Sequence, residues 1–459
     1  MSAFHKIWIY LFIISCFTSI SAKSQIIDEK IHFLNSCEEA LKARLWLIQQ
    51  AQKEILISYY IFQDDDIGIF FLNEIIKIKQ KKPELKINII QDAFNNGLSK
   101  NIKYYLEQSG IQFKEFHPLP KIFLPTSLIN TDNFLIAMKN FNYRMHDKLL
   151  IVDGEYIITG GRNMDEGYFG LSSPNFYDKE ILFHSHIAGK LTAEYFNWLW
   201  SSSNVSNFSS TIDYSKYKDY AKTLHSFHNI ENHLNEIHNF DFLNNQNFGF
   251  VPRWIKVETI ELLHSYSEDK KTFDPQVLTQ NFLNLILSAE HEIIIESPYL
   301  LLTENFLETI ALCRSKNISV IFITNSYCTN DLMHVAGAYD VRKSQLLKLG
   351  AEIYEYTGPG YLHAKCFMID RKIALLGSYN LDPRSANINT ETVFSFTGEQ
   401  AMDTVMYLFE KDLKLCNKLS LVDGDIEGVY MNCNRSFWDK FLYVFIQSLS
   451  QIKWVYDLL

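Results

Sequence analysis

The stretch RMHDKLLIVDGEYIITGGRN, residues 144–163, contains a histidine and a lysine two positions apart. His146 and Lys148 lead into an apolar run, which predicts a β-strand and then a hairpin. Residues two apart on a strand point to the same face, so this strand directs an imidazole and an ammonium to one side. Taken alone, such a pair is more typical of a protein surface than of a functional site.

The same pattern occurs again in YLHAKCFMIDRKIALLGSYN, residues 361–380, where the histidine is 217 positions after the first. The two stretches align without a gap, and the equivalent pairs are His146 and His363, Lys148 and Lys365, Asp153 and Asp370, Gly160 and Gly377, and Asn163 and Asn380. This repetition makes an incidental surface pair a poor explanation of either copy.

The match between the two halves extends upstream of both stretches. Residues 54–77 and 292–314 each predict a strand and a helix, and residues 86–93 and 319–326 each predict a further strand. Helices that end before a glycine and the hairpin complete each half. The sequence therefore predicts an α/β fold of two pseudo-symmetric lobes, packed about a pseudo-two-fold axis with the active site at the seam.

Two histidines, two lysines and two asparagines meeting at a seam suit phosphodiester chemistry. One imidazole can attack phosphorus to form a phosphohistidine, and the other can protonate the leaving alcohol and then deprotonate the acceptor. The groups expected to bind the phosphate oxygens are Lys148, Lys365, Asn163, Asn380 and Ser378. This chemistry requires no metal ion or other cofactor, and none is expected.

Carboxylates near the two histidines have more than one expected role. Asp153 and Asp370 complete the repeated motif and are counted among its candidate catalytic residues. Each lies seven positions after its histidine, an odd separation that points to the opposite face of a strand, so a structural role is favoured. Glu391 is the better candidate for orienting the histidine of the second half, and Asp178 is its counterpart in the first half. Each would accept the Nδ1–H of an imidazole.

The paired motifs HDKLLIVD and HAKCFMID, followed by GGRN and GSYN, resemble the double motif of the phospholipase D superfamily. The resemblance runs from about Leu34 to Ser420, and the segments GSYNLDPRSANINTE and GGRNMDEGYF look most like bacterial cardiolipin synthases and related phosphatidyltransferases. It implies a two-lobed fold, metal independence and a phosphohistidine mechanism, and it supports Glu391 as a histidine partner. It also implies His146 as the nucleophile and His363 as the general acid, although the symmetry of the halves leaves that order reversible.

The charge balance and the N-terminus bear on partners and location. A formal net charge of −10 argues against nucleic-acid binding, which depends on neutralising phosphates with Lys and Arg. Lys6, an apolar run over residues 7–17 and a small-residue stretch predict a signal peptide over residues 1–22, with a buried first helix as the alternative. The protein is therefore expected to be exported, as a periplasmic, secreted or membrane-associated protein, with lipid attachment at Cys16 as a variant.

The remaining chain divides into an N-terminal domain (residues 23–203), a Ser- and Asn-rich linker with a helix (204–254), a C-terminal domain (255–420) and an apolar tail (421–459). The linker histidines are expected on a solvated helix face rather than at a metal site; they are His225, His228, His233 and His238. The tail predicts a packed helix, with a helix lying on a membrane as the alternative. The spacing of the cysteines does not indicate which of them pair.

The first interpretation of function is a phospholipase D-type phosphodiesterase that releases phosphatidic acid or transfers the phosphatidyl group to an alcohol. The alternative is a cardiolipin synthase, which differs only in its acceptor. A nuclease and a non-catalytic membrane-binding protein are less favoured, because the chain is acidic and both His–Lys pairs are intact. The expected partner is a phospholipid at a membrane surface, and no oligomer is required because one chain carries both half-sites.

Overall fold

The computed structural model of the chain describes residues 29–94, 97–117, 142–208, 213–238, 246–267, 272–450 and 456. The expected signal peptide and Cys16 lie outside these residues. Within the described ranges, no helix is both long enough and apolar enough to cross a membrane.

Strands and helices alternate through the first half of the chain, as its hydrophobic pattern predicts. The strands are β1 (Lys30–Leu34), β2 (Glu54–Tyr59), β3 (Lys86–Asp92), β4 (Gln112–Phe116), β5 (Lys148–Val152), β6 (Tyr156–Gly160), β7 (Phe176–Tyr177), β8 (Glu180–His184) and β9 (Val205–Asn207). The helices are α1 (Cys37–Gln50), α2 (Asp66–Lys81), α3 (Lys100–Gln108), α4 (His186–Ser201) and α5 (Lys218–His238). The polar side chains of Ser36, Asp65 and Ser185 cap α1, α2 and α4 by accepting backbone N–H groups.

The second half repeats this order after a short antiparallel region. Its strands are β10 (Ile255–Lys256), β11 (Thr259–His264), β12 (Tyr266–Ser267), β13 (Thr272–Phe273), β14 (Glu292–Glu296), β15 (Ser319–Asn325), β16 (Glu352–Tyr356), β17 (Tyr361–Leu362), β18 (Cys366–Ile369), β19 (Ile373–Gly377), β20 (Thr392–Thr397), β21 (Cys416–Lys418), β22 (Ser420–Val422) and β23 (Asp425–Glu427). Its helices are α6 (Pro275–Leu287), α7 (Glu304–Ser315), α8 (Met333–Lys348), α9 (Pro383–Asn387), α10 (Glu399–Leu413) and α11 (Phe437–Leu449).

Each half builds one mixed sheet with the same central arrangement. The strand order is β10-β1-β8-β6-β5-β2-β3-β4-β9 in the first sheet and β11-β20-β19-β18-β14-β15-β16-β21 in the second. Strands β2, β3 and β4 are parallel, and so are β14, β15 and β16. The hairpins β5–β6 and β18–β19 pair antiparallel beside them. This duplicated order confirms the predicted two-lobed α/β fold.

The two sheets face each other across a shared apolar core. On β2, Ile55 points toward the helices of the first lobe and Leu56 points into the shared core. On β14, Ile294 points into the shared core from the second lobe. The rings of Phe183 and Phe394 meet there with their centroids 4.7 Å apart. Because these strands are covered on both faces, they are apolar throughout, and the seam between the lobes is buried.

A buried charge cluster also joins the lobes. The Lys179 ammonium of the first lobe contacts the carboxylates of Glu296 and Asp412 of the second, and all three side chains are buried. The Tyr177 hydroxyl donates a further hydrogen bond of 2.5 Å to Asp412. Removing one member of such a group leaves an uncompensated buried charge, so the cluster strongly favours this one arrangement of the lobes.

The segment 204–254, expected to be a linker, packs against the first lobe where it is described. Strand β9 pairs with β4 at the edge of the first sheet. Helix α5 buries Phe227, Ile230 and Leu234 in the core of the same lobe, because their spacing gives the helix one apolar face. Strand β10, assigned from the sequence to the second domain, pairs with β1 of the first sheet.

Three of the four histidines of this segment have described side chains, and all three are exposed on α5: His225, His228 and His233. The His233 imidazole lies 3.1 Å from the Asp66 carboxylate. Across the described ranges, no group of three or more His, Cys, Asp or Glu side chains is placed to hold a metal ion. The side chain of His238 lies outside those ranges.

A disulfide bond links the tail to the second lobe. Cys328, which follows β15, and Cys433, which precedes α11, form a disulfide with their Cα atoms 5.7 Å apart. Helix α11 then packs against α8 through Tyr443, which is buried. The predicted packing of the tail helix is therefore present on one of its faces.

Candidate active site

Backbone hydrogen bonds across the seam place the first motif against the second lobe. The N–H of His146 donates to the Thr390 carbonyl at 3.0 Å, and the N–H of Thr390 donates to the Arg144 carbonyl at 2.9 Å. Thr390 directly precedes Glu391. The chain around His146 is thus held beside the acidic residue of the other half.

The second motif is held against the first lobe in the same way. The N–H of His363 donates to the Tyr177 carbonyl at 2.7 Å, and strands β17 and β7 pair in parallel just before it. Tyr177 directly precedes Asp178. The two contacts are related by the pseudo-two-fold axis, so each histidine meets the acidic residue of the opposite lobe.

Glu391 and Asp178 both contact a histidine, as the sequence indicates, but the pairs are crossed, so that each carboxylate meets the histidine of the opposite half. Nδ1 of His146 lies 2.9 Å from both carboxylate oxygens of Glu391, and Nδ1 of His363 lies 2.8 Å from Oδ2 of Asp178. Within the first half, β6 lies between β5, which follows His146, and β8, which follows Asp178. Two strand spacings amount to about 10 Å, which is too far for a hydrogen bond. The opposite lobe supplies a carboxylate at contact distance instead.

Two buried lysines lie beside the histidines, as the sequence predicts. The Lys148 ammonium donates to the His146 carbonyl at 2.7 Å, and the Lys365 ammonium donates to the His363 carbonyl at 2.5 Å. Burial lowers the pKa of Lys148 to about 7 and that of Lys365 to about 8. Two ammonium groups withdrawn from water form a site that an anion would complete.

Burial also shifts the pKa values of the two histidines and of their carboxylate partners. Burial, and then the positive lysines, lower the pKa of His146 and of His363 well below its usual value, which favours neutral imidazoles. Burial raises the pKa of Glu391 to about 7 and raises that of Asp178.

Ser378, expected to bind phosphate, is occupied elsewhere, and that expectation is wrong. Its hydroxyl donates to Oε2 of Glu391 at 2.5 Å and accepts the N–H of Thr392 at 3.0 Å. A serine has one hydroxyl proton to donate, and here the carboxylate takes it. Ser378 therefore positions the carboxylate that holds His146.

The two asparagines differ from each other. Asn163 accepts the N–H of Ile61 at 3.3 Å and donates to the Tyr168 hydroxyl at 3.1 Å. Asn380 is buried, and among the described residues its side-chain oxygen has no hydrogen-bond partner. The unpaired group of Asn380 is therefore a hydrogen-bond acceptor, whereas both ends of the Asn163 amide have partners and Asn163 mainly supports Tyr168.

Asp153 and Asp370 lie outside the pocket and anchor the two lobes internally. The Asp153 carboxylate accepts the backbone N–H groups of residues 52, 53 and 54 at 2.7–3.0 Å. The Asp370 carboxylate accepts those of residues 290, 291 and 292, each at 2.8 Å. Both residues have positive φ, in the turn of the hairpin. The candidate catalytic role of these aspartates is therefore corrected to fixing the start of β2 and of β14.

Two further residues reach the site without having been singled out from the sequence. The Tyr168 hydroxyl lies 3.2 Å from Nε2 of His363, and the Ser385 hydroxyl donates to Glu391 at 2.6 Å. Both occur five positions after the motif asparagines, Asn163 and Asn380. Because the offset is the same in both halves, the internal alignment could have identified these two residues from the sequence. Within the described ranges no hydroxyl makes the equivalent contact with Nε2 of His146.

Comparisons with known proteins agree with this geometry. The family described as "Cardiolipin synthase, PLD-like domain" matches residues 45–200 and 282–413, more than half of the chain. Cardiolipin synthase C of Escherichia coli K12 is 26% identical over 79% of this chain and 80% of its own length. Cardiolipin synthase 1 of Bacillus anthracis is 27% identical over 83% of this chain and 66% of its own length.

Solved structures show the same fold. The phosphatidylserine synthase of Haemophilus influenzae Rd KW20 superposes with a TM-score of 0.63 and 16% identity, covering 93% of this chain and 94% of that one. Each segment matched by the family contains one of the two His–Lys motifs. The chain therefore belongs to the cardiolipin synthase, PLD-like domain family, and it is an enzyme of the phospholipase D superfamily of the phosphatidyltransferase type.

Proposed function

We propose that this protein transfers the phosphatidyl group of one phospholipid to a hydroxyl of a second, giving cardiolipin when both are phosphatidylglycerol. The observation that carries the proposal is the crossed pair of His–carboxylate contacts beside two buried lysines. The named relatives are called cardiolipin synthase or phosphatidylserine synthase, which favours transfer over the hydrolysis placed first from the sequence.

In the first step, the unprotonated Nε2 of His146 attacks phosphorus and the bond from phosphorus to the head-group oxygen breaks. His363 gives its Nε2 proton to that oxygen, so the products are phosphatidyl-His146 and a free alcohol. The bound phosphodiester anion favours the protonated form of His363, offsetting the effect of burial on its pKa. Glu391 accepts the Nδ1–H of His146 and stabilises the charge that the ring acquires.

In the second step, the now neutral His363 takes the proton of the acceptor hydroxyl. That oxygen attacks phosphorus, the bond between phosphorus and His146 breaks, and the second phosphodiester is released. Lys148, Lys365 and the side-chain N–H groups of Asn380 donate to the nonbridging oxygens in both steps. The two steps use the same groups in reverse order, as the pseudo-symmetry of the site allows.

Tyr168 supports the choice of nucleophile. Its hydroxyl accepts a hydrogen bond from Asn163 and contacts Nε2 of His363 at 3.2 Å. When this hydroxyl donates to Nε2, it occupies the lone pair that an attacking nitrogen needs, and within the described ranges Nε2 of His146 has no such hydroxyl contact. The equivalent position in the second half is Ser385, which bonds to Glu391 instead. This asymmetry favours His146 as nucleophile and His363 as acid and base.

Mass spectrometry of lipids after incubation with phosphatidylglycerol vesicles tests the proposal. Cardiolipin and glycerol are expected in equal amounts, and neither from the His146→Ala or the His363→Ala variant. His186→Ala is the control, because His186 is 76% exposed on α4 and outside the site. Formation of phosphatidic acid instead of cardiolipin would show that the protein is a hydrolase and not a transferase. Unchanged lipid would contradict both activities. A phosphatidyl adduct on His363 would reverse the assigned roles.

Export remains part of the proposal. The Cys328–Cys433 disulfide supports it, because disulfides persist mainly in oxidising compartments. Mass spectrometry of the mature protein purified from its host is expected to find an N-terminus near Ala22. An intact N-terminus on the active protein would contradict removal of a signal peptide.

A further inference from the structure

An acidic residue beside His363 has no part in the two proposed steps. Asp331 lies in the connection between β15 and α8, and its two carboxylate oxygens accept the Tyr299 hydroxyl at 3.0 Å and 3.1 Å. The ring of Tyr299 meets the ring of His363 edge to face, with the centroids 6.5 Å apart. One hydrogen bond therefore joins this carboxylate to a side chain that contacts the acid–base histidine.

The connection that carries Asp331, residues 326–332, begins beside the second motif. At the end of β15, the Asn325 amide donates to the Leu362 carbonyl at 2.7 Å and accepts the Leu362 N–H at 2.9 Å. Leu362 directly precedes His363. The connection thus starts at the backbone next to His363 and ends, at Asp331, on a tyrosine that contacts the His363 ring.

Further bonds hold the same connection in one conformation. The Thr329 hydroxyl donates to a carbonyl of β16 at 2.8 Å. The Arg435 guanidinium donates to three backbone carbonyls of the connection at 2.7–3.0 Å, and the Cys328–Cys433 disulfide links it to the tail. Asp331 is therefore carried by a fixed backbone, which is what a group that discriminates between ligands requires.

The Asp331 carboxylate can accept more hydrogen bonds than Tyr299 provides. The tyrosine hydroxyl supplies one proton, whereas a carboxylate has about four acceptor positions. Asp331 is partly exposed, although Tyr299 is buried. Burial raises the pKa of Asp331, and the hydrogen bond from Tyr299 and the positive charge of Lys365 oppose that rise. Asp331 thus combines a fixed position with acceptor positions that a ligand can reach.

The chemistry of a carboxylate decides which part of the substrate it can serve. An ionised carboxylate only accepts hydrogen bonds, and its charge repels the nonbridging oxygens of a phosphate. In an in-line displacement the leaving oxygen departs opposite the attacking atom. With His146 as nucleophile, the head group therefore lies on the side of His363, where Tyr299 and Asp331 are. A carboxylate on that side suits a head group that donates hydrogen bonds.

The first lobe has no counterpart of the Tyr299–Asp331 pair. Counting from the starts of β2 and β14, the position equivalent to Tyr299 is Ile61. Counting from the starts of β3 and β15, the position equivalent to Asp331 is Leu98. Neither apolar side chain can accept a hydrogen bond. The pseudo-symmetry is thus broken on the side where the proposed reaction handles the alcohol oxygens.

We infer that Asp331, positioned by Tyr299, accepts a hydrogen bond from a free hydroxyl of a glycerol head group and so selects polyhydric alcohols as leaving group and as acceptor. The inference rests on the proposed function for the reaction and for the role of His363. The reacting oxygen exchanges its proton with His363, while the hydroxyl on the neighbouring carbon donates to Asp331. An alcohol without that second hydroxyl leaves the carboxylate without this partner.

Competition between two acceptors tests this selection. Phosphatidylglycerol vesicles are incubated with equimolar ¹³C-glycerol and 1-propanol, and mass spectrometry gives the ratio of labelled phosphatidylglycerol to phosphatidylpropanol. The unsubstituted protein should favour glycerol. Asp331→Asn should lower the ratio by about tenfold or more, because a neutral amide is a weaker acceptor than a carboxylate. Tyr299→Phe, which keeps the carboxylate but removes the hydroxyl that positions it, should lower the ratio in the same direction.

The matched control is Asp340→Asn. Asp340 is also partly exposed and accepts a tyrosine hydroxyl, but its partner is Tyr443 of α11. This variant should keep the ratio of the unsubstituted protein. Because the ratio compares two products of one enzyme sample, a lower yield of folded protein does not change it.

The possible outcomes separate this inference from the proposed function. Transfer with an unchanged ratio in both Asp331→Asn and Tyr299→Phe would overturn the inference and leave the proposed function standing. With ¹³C-ethanolamine in place of glycerol, a larger effect of Asp331→Asn would assign the carboxylate to an amino alcohol and contradict the selection of glycerol. No transfer to either alcohol by the unsubstituted protein would refute the proposed function and this inference with it.

Discussion

Glu391 of the second lobe holds Nδ1 of His146 of the first lobe through both of its carboxylate oxygens, each at 2.9 Å. Ser378 and Ser385 donate to the same carboxylate, so its position is fixed by three partners. Neither lobe contains a complete histidine–carboxylate pair of its own. The active site therefore exists only when the two lobes are packed together.

Replacing Glu391 with Gln should reduce kcat by about 10²–10⁴-fold, because the neutral amide cannot stabilise the charge on His146. The measurement is cardiolipin formation from phosphatidylglycerol under saturating lipid. The crossed geometry also makes a spectroscopic prediction: the ¹⁵N resonances of His146 should shift in this variant more than those of His363. A larger shift at His363 would indicate that Glu391 pairs with the histidine of its own half.

The activity should follow a bell-shaped dependence on pH. Burial raises the pKa of Glu391 to about 7, so below that pH the protonated carboxyl no longer accepts the Nδ1–H as an anion and kcat falls. The pKa of Lys148 is lowered to about 7 and that of Lys365 to about 8, so the two ammonium groups lose their charge as the pH rises through 7 and 8 and phosphate binding weakens. Initial rates from pH 5 to pH 10 test both limbs. A rate that stays constant above pH 9 would contradict a role for the lysine charge.

Replacing Lys148 with Met should abolish turnover and stabilise the fold. Burial lowers the pKa of Lys148 to about 7 in the folded protein, whereas the unfolded chain keeps an ordinary lysine. The ammonium therefore destabilises the fold fully below pH 7, and this effect disappears as the pH rises toward about 10.5. The free energy of unfolding of the variant should exceed that of the unsubstituted protein by about 1–4 kcal/mol at pH 6 and by little at pH 10. A stability difference between the variant and the unsubstituted protein that increases with pH would contradict the lowered pKa of Lys148.

Tyr168→Phe tests the asymmetry between the histidines. Losing the hydroxyl that contacts Nε2 of His363 should lower kcat by about tenfold and shift the pH limb that reports on the acid and base. The KM for phosphatidylglycerol should change little, because the lysines that bind phosphate are intact. Ser385→Ala, at the equivalent position, is the comparison. Because Ser385 donates a hydrogen bond to Glu391, this variant should instead shift the pH limb that reports on Glu391. Identical pH profiles for the two variants would remove the basis for distinguishing the histidines.

Asp370→Asn should cost stability without costing chemistry. The carboxylate accepts three backbone N–H groups and lies away from the pocket. Although burial alone would raise the pKa of Asp370, these hydrogen bonds hold it below its usual value. Its contribution to stability is present above the unfolded pKa of about 3.9 and is lost as the pH falls through the folded pKa. The free energy of unfolding at pH 7 should fall by about 1–3 kcal/mol, with kcat unchanged. A loss of kcat in folded protein would return Asp370 to the catalytic set.

Most of the fold of this enzyme can be predicted from its sequence because the two halves repeat the same pattern. The 3.6- and 2-residue periodicities, repeated in each half, predict the elements, and the ungapped alignment predicts which residues are equivalent. The odd separation of Asp153 from His146 also points it away from the pocket, although the structure places it in a turn with positive φ rather than on the strand. These are local properties, fixed by backbone geometry over a few residues.

Contacts between the lobes were decided only by the tertiary structure. Which carboxylate meets which histidine depends on backbone bonds between segments 245 and 185 residues apart, and no periodicity in either segment encodes that choice. The buried cluster around Lys179 has the same origin, whereas Ser378 meets Glu391 within the second lobe, where β19 pairs with β20. The sequence by itself determined two half-sites with the groups for phosphoryl transfer. Packing determined how they cross, because a buried imidazole takes the nearest carboxylate, and at this seam the nearest one belongs to the other lobe.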